Sequence, residues 1–324
     1  MQVEQEEANR GWPLVSVVVP VFNGAQYIEA CLQSILQQDY PALEVIVVDD
    51  GSTDQTESLV RNFSKNVVYV RQENSGSAVA RNLGVQIARG DLIAFNDSDD
   101  LWAPHRLKQQ VKFLSGQTEY QAVCGRFMAV PDEFTLDDAA LQRYQSEAIV
   151  DPEKSGWTYL RVLETSIYHI DTVLVKKAAM ETIRFNPDYR RGQDFDFWLQ
   201  LLHVTPIAQL DNLYAFYRQN PGSITKKPHL RNYRAEILTA ALQKYGAKDQ
   251  LGRELPPDRL NQLFARSWFG HGYELFRARW FRKASESFLH CVRFDPKQKG
   301  AYKYLLLSYL RRFQDRTPPN VVAR

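Results

Sequence analysis

Three carboxylates stand close together after one short apolar run of this sequence. The run from Leu92 to Phe95 predicts a buried strand, because it is too short for a core helix. Asp97, Asp99 and Asp100 follow within four positions. Carboxylates crowded in this way raise the cost of ionising one another, and a divalent cation relieves that cost. Oxygen ligands suit Mg²⁺ or Mn²⁺, although an isolated acidic turn more commonly caps the next helix.

The elements that must position these carboxylates alternate between strand and helix through the first third of the chain. Apolar, β-branched runs near residues 15–19, 43–48, 67–70 and 92–95 are separated by amphipathic helical segments. This spacing predicts a parallel sheet with helices on both faces. Ligands of such sheets bind at the carboxyl ends of the strands, so the polar loops there should meet at one edge. The three polar loops at these ends are residues 20–23, 49–52 and 97–100.

The residue types at this edge favour a nucleotide over a redox cofactor. Neither the dinucleotide fingerprint nor the Walker A sequence follows any predicted strand. The carboxylates of Asp49 and Asp50 could accept hydrogen bonds from a nucleobase or a ribose, or could cap the next helix. Arg81 lies in the first turns of a predicted helix, where it could contact a base or phosphates, or form a surface ion pair.

Composition and net charge limit the classes of protein to which this chain can belong. The chain has 324 residues, 44% hydrophobic and 24% charged, which is typical of a globular protein. A net charge of +2 argues against a nucleic-acid partner, and its three cysteines lack metal or redox spacing. The first thirteen residues are polar and predict a flexible segment rather than a signal peptide. We expect a cytoplasmic protein, with peripheral contact at the inner face of the membrane left open.

Two stretches carry a family resemblance: VSVVVPVFNGAQYIEACLQSILQQDYPALEVIVVDDGSTDQT and ENSGSAVARNLGVQIARGDLIAFNDSDDLW. From Val15 to Leu107 the chain resembles the inverting family 2 glycosyltransferases of the GT-A fold. The resemblance implies an α/β nucleotide-diphospho-sugar transferase fold, with a mostly parallel sheet and helices on both faces. It also implies a hexosyltransferase-type activity (EC 2.4) that moves a sugar from a nucleotide diphosphate sugar, a UDP-sugar, to an acceptor hydroxyl. Synthesis of a cell-surface polysaccharide or glycoconjugate is the expected setting.

The same resemblance implies roles for individual residues. Asp50 would contact the base with Arg81 nearby, and Asp97 and Asp99 would hold Mn²⁺ or Mg²⁺ against the diphosphate. Asp99 would be the nearest metal ligand. The full set implied for nucleotide-sugar binding is Pro20, Phe22, Asn23, Asp50, Arg81, Asp97, Ser98 and Asp99.

The acceptor side is predicted around a helix from Gly192 to Leu202. Asp194 and Asp196 stand in its first turn, where carboxylates also stabilise a helix by capping. The resemblance implies that Asp194 is the general base, and Gln193 replaces the glutamate that usually precedes it. Asp196 lies about 200° further round the helix and cannot face the same acceptor. The candidate acceptor or lid residues, which could instead be core or surface residues, are Trp102, His169, Gln193, Trp198, Arg218 and Lys226.

The chain changes character after the predicted transferase domain, which spans residues 1–227. Residues 228–324 predict helices, with one tetratricopeptide-like hairpin near 265–298. His271 and Leu275 depart from the repeat pattern. A single repeat cannot form a solenoid, so we expect these helices to pack partly on the catalytic domain, with contact to a protein or membrane left open. The residues in register with the repeat are Trp268, Gly272, Ala284, Phe288, Cys291 and Pro296.

Two other functions belong to different classes. A sugar-1-phosphate nucleotidyltransferase shares the sheet architecture, but its glycine-rich loop near the N-terminus is missing here. A sugar-nucleotide-binding scaffold without catalysis would not need Asp50, Asp97, Asp99 and Asp194 together. For the transferase, the expected partners are a nucleotide diphosphate sugar and a saccharide, lipid-linked or protein acceptor.

Overall fold

The structure is a computed structural model that describes residues 11–136, 148–220 and 227–316. The chain divides into two units, Met1–Pro221 and Gly222–Arg324. Part of the predicted flexible N-terminus lies outside the described residues, as does Lys226. The same is true of part of residues 131–152, a polar and acidic stretch of the sequence with few strand or helix signals.

The first unit alternates strands with helices in the order that the apolar runs predict. Its strands are β1 Val15–Val21, β2 Leu43–Asp49, β3 Val67–Arg71, β4 Leu92–Phe95, β5 Leu101–Trp102, β6 Ala122–Val130, β7 Leu174–Lys176 and β8 Ile207–Arg218. Its helices are α1 Ile28–Leu36, α2 Thr56–Phe63, α3 Ser77–Ile87, α4 Arg106–Gly116, α5 Tyr159–Glu164 and α6 Gln193–Leu201. Short 3-10 turns at Ile170–Thr172 and Lys177–Met180 flank β7.

One sheet joins these strands in the order β3-β2-β1-β4-β7-β6-β8-β5. The strands β3, β2, β1 and β4 are parallel, as the sequence predicts. Strand β7 runs antiparallel to both β4 and β6, and β5 runs antiparallel to β8. The sequence gives no sign of these antiparallel pairs, because they join segments that lie far apart in the chain.

Helices cover both faces of this sheet. On one face, α1 and α4 pack their apolar sides on the buried side chains of β1 and β2. On the other face, α3 approaches β1 so closely that a Cβ on Gly84 would lie 2.2 Å from Val18 Cγ1. Phe95 at the end of β4 contacts Phe185 and Phe197, with ring centroids 5.2 and 6.0 Å away. This aromatic cluster fixes α6 beside β4.

The second unit is helical, as predicted. Its helices are α7 Tyr233–Tyr245, α8 Pro257–Arg277, α9 Phe281–Phe294 and α10 Lys299–Arg311. Helices α8 and α9 form the predicted hairpin, and a Cβ on Gly272 would lie 2.9 Å from the Phe288 ring. The buried residues of this unit's core are Ala265, Leu275, Trp280, Ala284, Phe288, Cys291 and Ala301. In the described ranges, no helix has both the length and the apolar composition needed to cross a bilayer.

Candidate active site

The carboxylates that follow β4 separate into an outer and an inner set. Asp97 and Asp99 are partly exposed at the carboxyl edge of the sheet, and Ser98 between them is also partly exposed. Asp100 is fully buried. The segment forms a turn in which the Asp100 amide donates to the Asp97 carbonyl oxygen at 3.0 Å, so one acidic motif supplies both partly exposed and buried carboxylates.

A fourth carboxylate, Asp171, joins the inner set from a distant part of the sequence. Antiparallel pairing places Ala94 of β4 opposite Leu174 of β7. The same register brings Asp171 opposite Asp97, and its Oδ1 accepts a hydrogen bond from the Asp97 amide at 2.8 Å. Ligand oxygens of Asp97, Asp100 and Asp171 all lie within 4.8 Å of one another. In the sequence, Asp171 is a single aspartate within a largely apolar segment. None of the motifs includes it, so the sequence does not identify it as a site residue.

The two inner carboxyl groups relieve their repulsion by sharing a proton. Burial, and then the neighbouring charge of Asp171, raises the pKa of Asp100 well above its ordinary value. Burial alone would raise the pKa of Asp171, but His169 and a hydrogen bond from Asp100 bring it down to about 2. These opposite shifts favour a proton on Asp100 and an ionised Asp171, while ligand oxygens of both lie within 4.8 Å of one another and of an Asp97 oxygen.

A buried arginine holds the turn that carries Asp171. The Arg106 guanidinium lies 3.8 Å above the Trp102 ring and donates to the carbonyl oxygens of Asp171 and Val173. Burial lowers the pKa of Arg106 to about 9. Its positive charge lies behind the ionised Asp171 and supports the turn from the interior side.

The outer carboxylate Asp97 is paired with Arg81, which the sequence predicted near the nucleotide. The buried Arg81 guanidinium donates to Asp97 Oδ1 and, at 3.0 Å, to Gln193 Oε1. Gln193 Nε2 donates in turn to the carbonyl oxygen of Tyr189 at 2.6 Å. Gln193 is buried and links α6 to α3, so this arrangement gives it a connecting position rather than an exposed acceptor surface.

Asp99 lies beside a second arginine that the sequence assigned to the lid. Burial, and then the charge of Asp97, raises the pKa of Asp99 to about 7. Asn220 donates to its carboxylate. Arg218 donates from Nε to the Asp99 carbonyl oxygen at 2.9 Å and from Nη1 to the Phe134 carbonyl oxygen at 2.8 Å. These bonds tie the acidic loop to β8, so Arg218 would have to exchange them to meet a diphosphate.

The residues predicted to bind the nucleotide lie at the ends of β1 and β2. Phe22 exposes its ring, whereas Pro20 is buried within β1. Asn23 has a positive φ of 51°, and its Oδ1 accepts a hydrogen bond from the Thr53 amide at 2.8 Å. Asp50 accepts from the amides of Ser75 and Gly76, each at 2.7 Å. Asp50 therefore orders the loop before α3, and a base contact would be additional to these bonds.

Asp194 lies in the first turn of α6, partly exposed. The Arg81 guanidinium bonds to Gln193, the residue before Asp194, and this brings the start of α6 to the edge of the sheet that carries Asp97. Asp196 instead accepts a hydrogen bond from Gln200 at 2.8 Å along the helix. The predicted separation of these two carboxylates therefore agrees with their observed contacts.

The rings of Phe127, His169 and Tyr217 form an aromatic wall next to Asp171. The His169 ring lies 4.3 Å from the Phe127 ring and 5.2 Å from the Tyr217 ring, between centroids. Its Nδ1 is 3.2 Å from Asp171 Oδ2. Burial alone would lower the pKa of His169, but Asp171 raises it above its ordinary value. The sequence identified His169 and missed Phe127 and Tyr217, because single aromatic residues in strands usually belong to the core.

Two predicted acceptor residues do not reach the surface. Trp102 and Trp198 are almost fully buried. Trp102 packs beneath Arg106, and the Trp198 ring lies 5.3 Å from that of Tyr168. The structure contradicts their assignment to the acceptor site, because their large apolar surfaces fill the core. Lys226 lies outside the described residues.

The outer carboxylates provide a donor set that fits a divalent cation. Their ligand atoms are oxygens, the type that Mg²⁺ and Mn²⁺ prefer, and Asp97 and Asp99 border the open edge of the sheet. The raised pKa of Asp99 shows that its negative charge is poorly stabilised by the protein alone.

Comparison with known proteins decides the family. A family profile described as Glycosyl transferase family 2 matches residues 16–176. TuaG of Bacillus subtilis (strain 168), whose name assigns it to teichuronic acid biosynthesis, is 36% identical over 195 residues. The match covers 59% of this chain and 72% of TuaG. The chain belongs to glycosyl transferase family 2. The predicted family and enzyme class, a glycosyltransferase, are both confirmed.

Solved structures confirm the GT-A fold of this glycosyltransferase. S. aureus TarS 1-349 in complex with UDP-GlcNAc is similar with a TM-score of 0.63 and 19% identity, covering 96% of this chain and 95% of that one. The mannosyltransferase PcManGT from Pyrobaculum calidifontis, in complex with GDP-Man and Mn²⁺, has a TM-score of 0.56 and 21% identity, covering 98% and 95%. Some curated relatives are longer, and the chain spans 37% of the length of two of them.

Proposed function

We propose that this glycosyltransferase moves a sugar from a nucleotide diphosphate sugar to an acceptor hydroxyl with inversion, using Asp194 as the general base. The observation that carries the proposal is that the buried Arg81 joins Asp97 to Gln193, the residue before Asp194, so that the start of α6 lies at the same edge of the sheet as the acidic loop. In this proposal residues 1–227 perform the catalysis, and residues 228–324 are an accessory helical region.

The donor is proposed to be a UDP-sugar. Phe22 offers an exposed ring for stacking on a base, and Asp50 orders the loop beside it. Arg81 and Asn23 border the same edge of the sheet. TarS, a structural neighbour in complex with UDP-GlcNAc, supports a UDP-sugar, whereas PcManGT is in complex with GDP-Man.

Asp97 and Asp99 are the proposed ligands of a divalent cation. Asp100 and Asp171 are buried and stabilise each other with a proton, so they support the loop from behind. When bound, the cation supplies a Lewis acid that stabilises negative charge on the departing diphosphate. Mn²⁺ in the PcManGT complex supports the choice of a divalent ion.

Asp194 is proposed to accept the proton of the acceptor hydroxyl as that oxygen attacks the anomeric carbon. The attack comes from the face opposite the diphosphate, so an α-linked donor gives a β-linked product. General base catalysis of this type contributes about 10²- to 10⁴-fold. The amide at Gln193 keeps the preceding position neutral, which leaves Asp194 as the carboxylate at the start of α6 that faces His169 and Arg81.

The acceptor is proposed to be a saccharide that rests on the aromatic wall of Phe127, His169 and Tyr217. Ring faces of this kind pack against the C–H faces of sugars, while hydroxyl groups stay available for hydrogen bonding. His169 of this wall lies 3.2 Å from Asp171, which binds the Asp97 amide, so the wall borders the acidic loop. The name of TuaG supports a role in the synthesis of a cell-surface polysaccharide.

A donor panel with a paired substitution tests this function. Purified protein is incubated with UDP-, GDP- and dTDP-sugars and Mn²⁺, and release of nucleoside diphosphate and the anomeric form of the product are measured. We expect Asp194→Asn to lower kcat at least about a hundredfold with donor affinity retained, and Asp196→Asn to do much less. Equal losses in the two variants would contradict the assignment of the base, and formation of nucleoside triphosphate and sugar 1-phosphate when pyrophosphate is added would indicate a nucleotidyltransferase.

A further inference from the structure

Helix α10 has an apolar surface on the side that does not face its own unit. Ala301 and Ser308 are buried against α8 and α9. On the opposite side, Leu306 is 60%, Leu310 63% and Phe313 86% exposed. Five side chains at helical spacing form this surface, which we name the apolar stripe: Tyr302, Leu306, Tyr309, Leu310 and Phe313.

Such a continuous stripe differs from scattered exposed apolar residues. A surface helix normally has one apolar face and one polar face. Helix α10 is apolar on both, since its inner face packs into the core and its outer face carries the stripe. Contiguous apolar surface on a folded protein marks a place where something binds.

The charges around the stripe indicate the chemistry of the occupant. Residues 297–316 contain six cations and one carboxylate, Asp315. That carboxylate is engaged at the start of α9, where it accepts from the amide of Phe281. Arg312 lies 4.2 Å above the Tyr309 ring, within the stripe itself. The six cations are Lys297, Lys299, Lys303, Arg311, Arg312 and Arg316.

A cavity of about 290 Å³ opens beside the C-terminal end of α10. Three arginines line it, Arg277, Arg279 and Arg311, together with the rings of Tyr273 and Tyr304 among others. Guanidinium groups over a small cavity suit the oxygens of a phosphate group. Consecutive residues of a helix lie about 100° apart, so Arg311 and the cavity lie on a different side of α10 from the centre of the stripe.

We propose that α10 binds the surface of a bilayer containing anionic phospholipid. The stripe would enter the boundary between headgroups and acyl chains, with the neighbouring cations on the phosphates. Leucine and aromatic side chains flanked by lysine and arginine are the composition of helices that lie in this interface. Tyrosines favour it because their rings are apolar and their hydroxyl groups are polar.

A second copy of the chain fits this surface less well. A twofold interface would place the same patch on both partners, so the cations of one would meet the cations of the other. An anionic surface instead neutralises all of them, and each cation near such a surface strengthens binding about fivefold at low salt.

Vesicle sedimentation tests the proposal on the full-length protein, without any need for activity. The probes are vesicles of phosphatidylcholine alone and of phosphatidylcholine with phosphatidylglycerol in equal amounts. We expect the wild-type protein to sediment with the phosphatidylglycerol vesicles and binding to weaken as salt is added. Leu306→Ser with Leu310→Ser should weaken binding at least about tenfold, and Arg311→Gln with Arg312→Gln should weaken binding to the phosphatidylglycerol vesicles about twenty-five-fold.

Leu251→Ser is the matched control, because Leu251 is 61% exposed in the same unit but lies outside the stripe. It should bind as the wild type does, and the melting temperature of each variant establishes that it is folded. Absence of wild-type binding to phosphatidylglycerol vesicles would overturn the proposal, as would equal binding by the stripe variant. A wild-type dimer that the stripe variant converts to a monomer in light scattering would assign the surface to a second copy instead.

Discussion

The site contains an outer and an inner pair of carboxylates. The two pairs have the same chemical groups but differ in their exposure to solvent. Asp97 and Asp99 border the open edge of the sheet, whereas Asp100 and Asp171 are buried behind them. The inner pair is stabilised by a shared proton, by Arg106 behind it and by a backbone amide. The outer pair is stabilised only in part, since Asp99 keeps a raised pKa. Burial thus separates carboxylates that hold the loop from carboxylates left available for a ligand.

The largest effect should follow a change in the outer pair. Asp99→Asn removes a proposed metal ligand, so transfer in Mn²⁺ should fall about a thousandfold or more. The fold should be retained, because the substitution also removes a poorly stabilised charge. Steady-state kinetics and the melting temperature without metal check both parts. Near-normal turnover of the folded variant would contradict the metal assignment.

The corresponding change in the inner pair should act on stability. Asp171→Asn removes the ionised partner of Asp100 and His169, and breaking a buried pair of this type costs about 3 kcal/mol. Urea unfolding should show this loss, while Asp99→Asn, the same chemical change at the outer position, should not. If the two variants were equally stable, the distinction between inner and outer carboxylates would not hold.

A smaller effect is expected from a substitution at Gln193, the residue of α6 that shares Arg81 with Asp97. Gln193→Glu places a carboxylate against Arg81, which then shares its charge between two partners instead of neutralising Asp97 alone. The apparent Mn²⁺ affinity should rise about threefold to tenfold, measured by titrating the metal in the transfer assay. Gln200→Glu is the control, since Gln200 lies on the same helix and bonds to Asp196. An equal change in both variants would rule out a specific role for Arg81.

The smallest effect concerns pH in the absence of metal. The pKa of Asp99 is raised from 3.8 to about 7. The folded state therefore holds this proton more tightly than the unfolded chain, and the stability it contributes is present at low pH and lost as the pH rises through about 7. In chelator, the melting temperature of the wild type relative to Asp99→Asn should fall between about pH 4 and pH 7. A difference that is constant with pH would show that Asp99 is not the group responsible.

The sequence alone predicted the elements that depend on local residue pattern and on the order of segments in the chain. Apolar runs of β-branched residues alternate with amphipathic segments, so β1 to β4 and the helices between them follow from periodicity. The acidic motif after β4 follows from the same pattern, because the carboxyl ends of parallel strands share one edge. The helical C-terminal region follows from the spacing of its apolar residues.

Only the tertiary structure showed the contacts between segments that lie far apart in the sequence. Asp171 belongs to the site only because antiparallel β7 returns beside β4, and nothing near it in the sequence indicates that pairing. Arg218 is tied to the acidic loop because β8 pairs with β5. Trp102 and Trp198 are core residues because their burial depends on packing partners from several elements. A sequence records residue types, whereas burial and register arise from contacts between segments far apart in the chain.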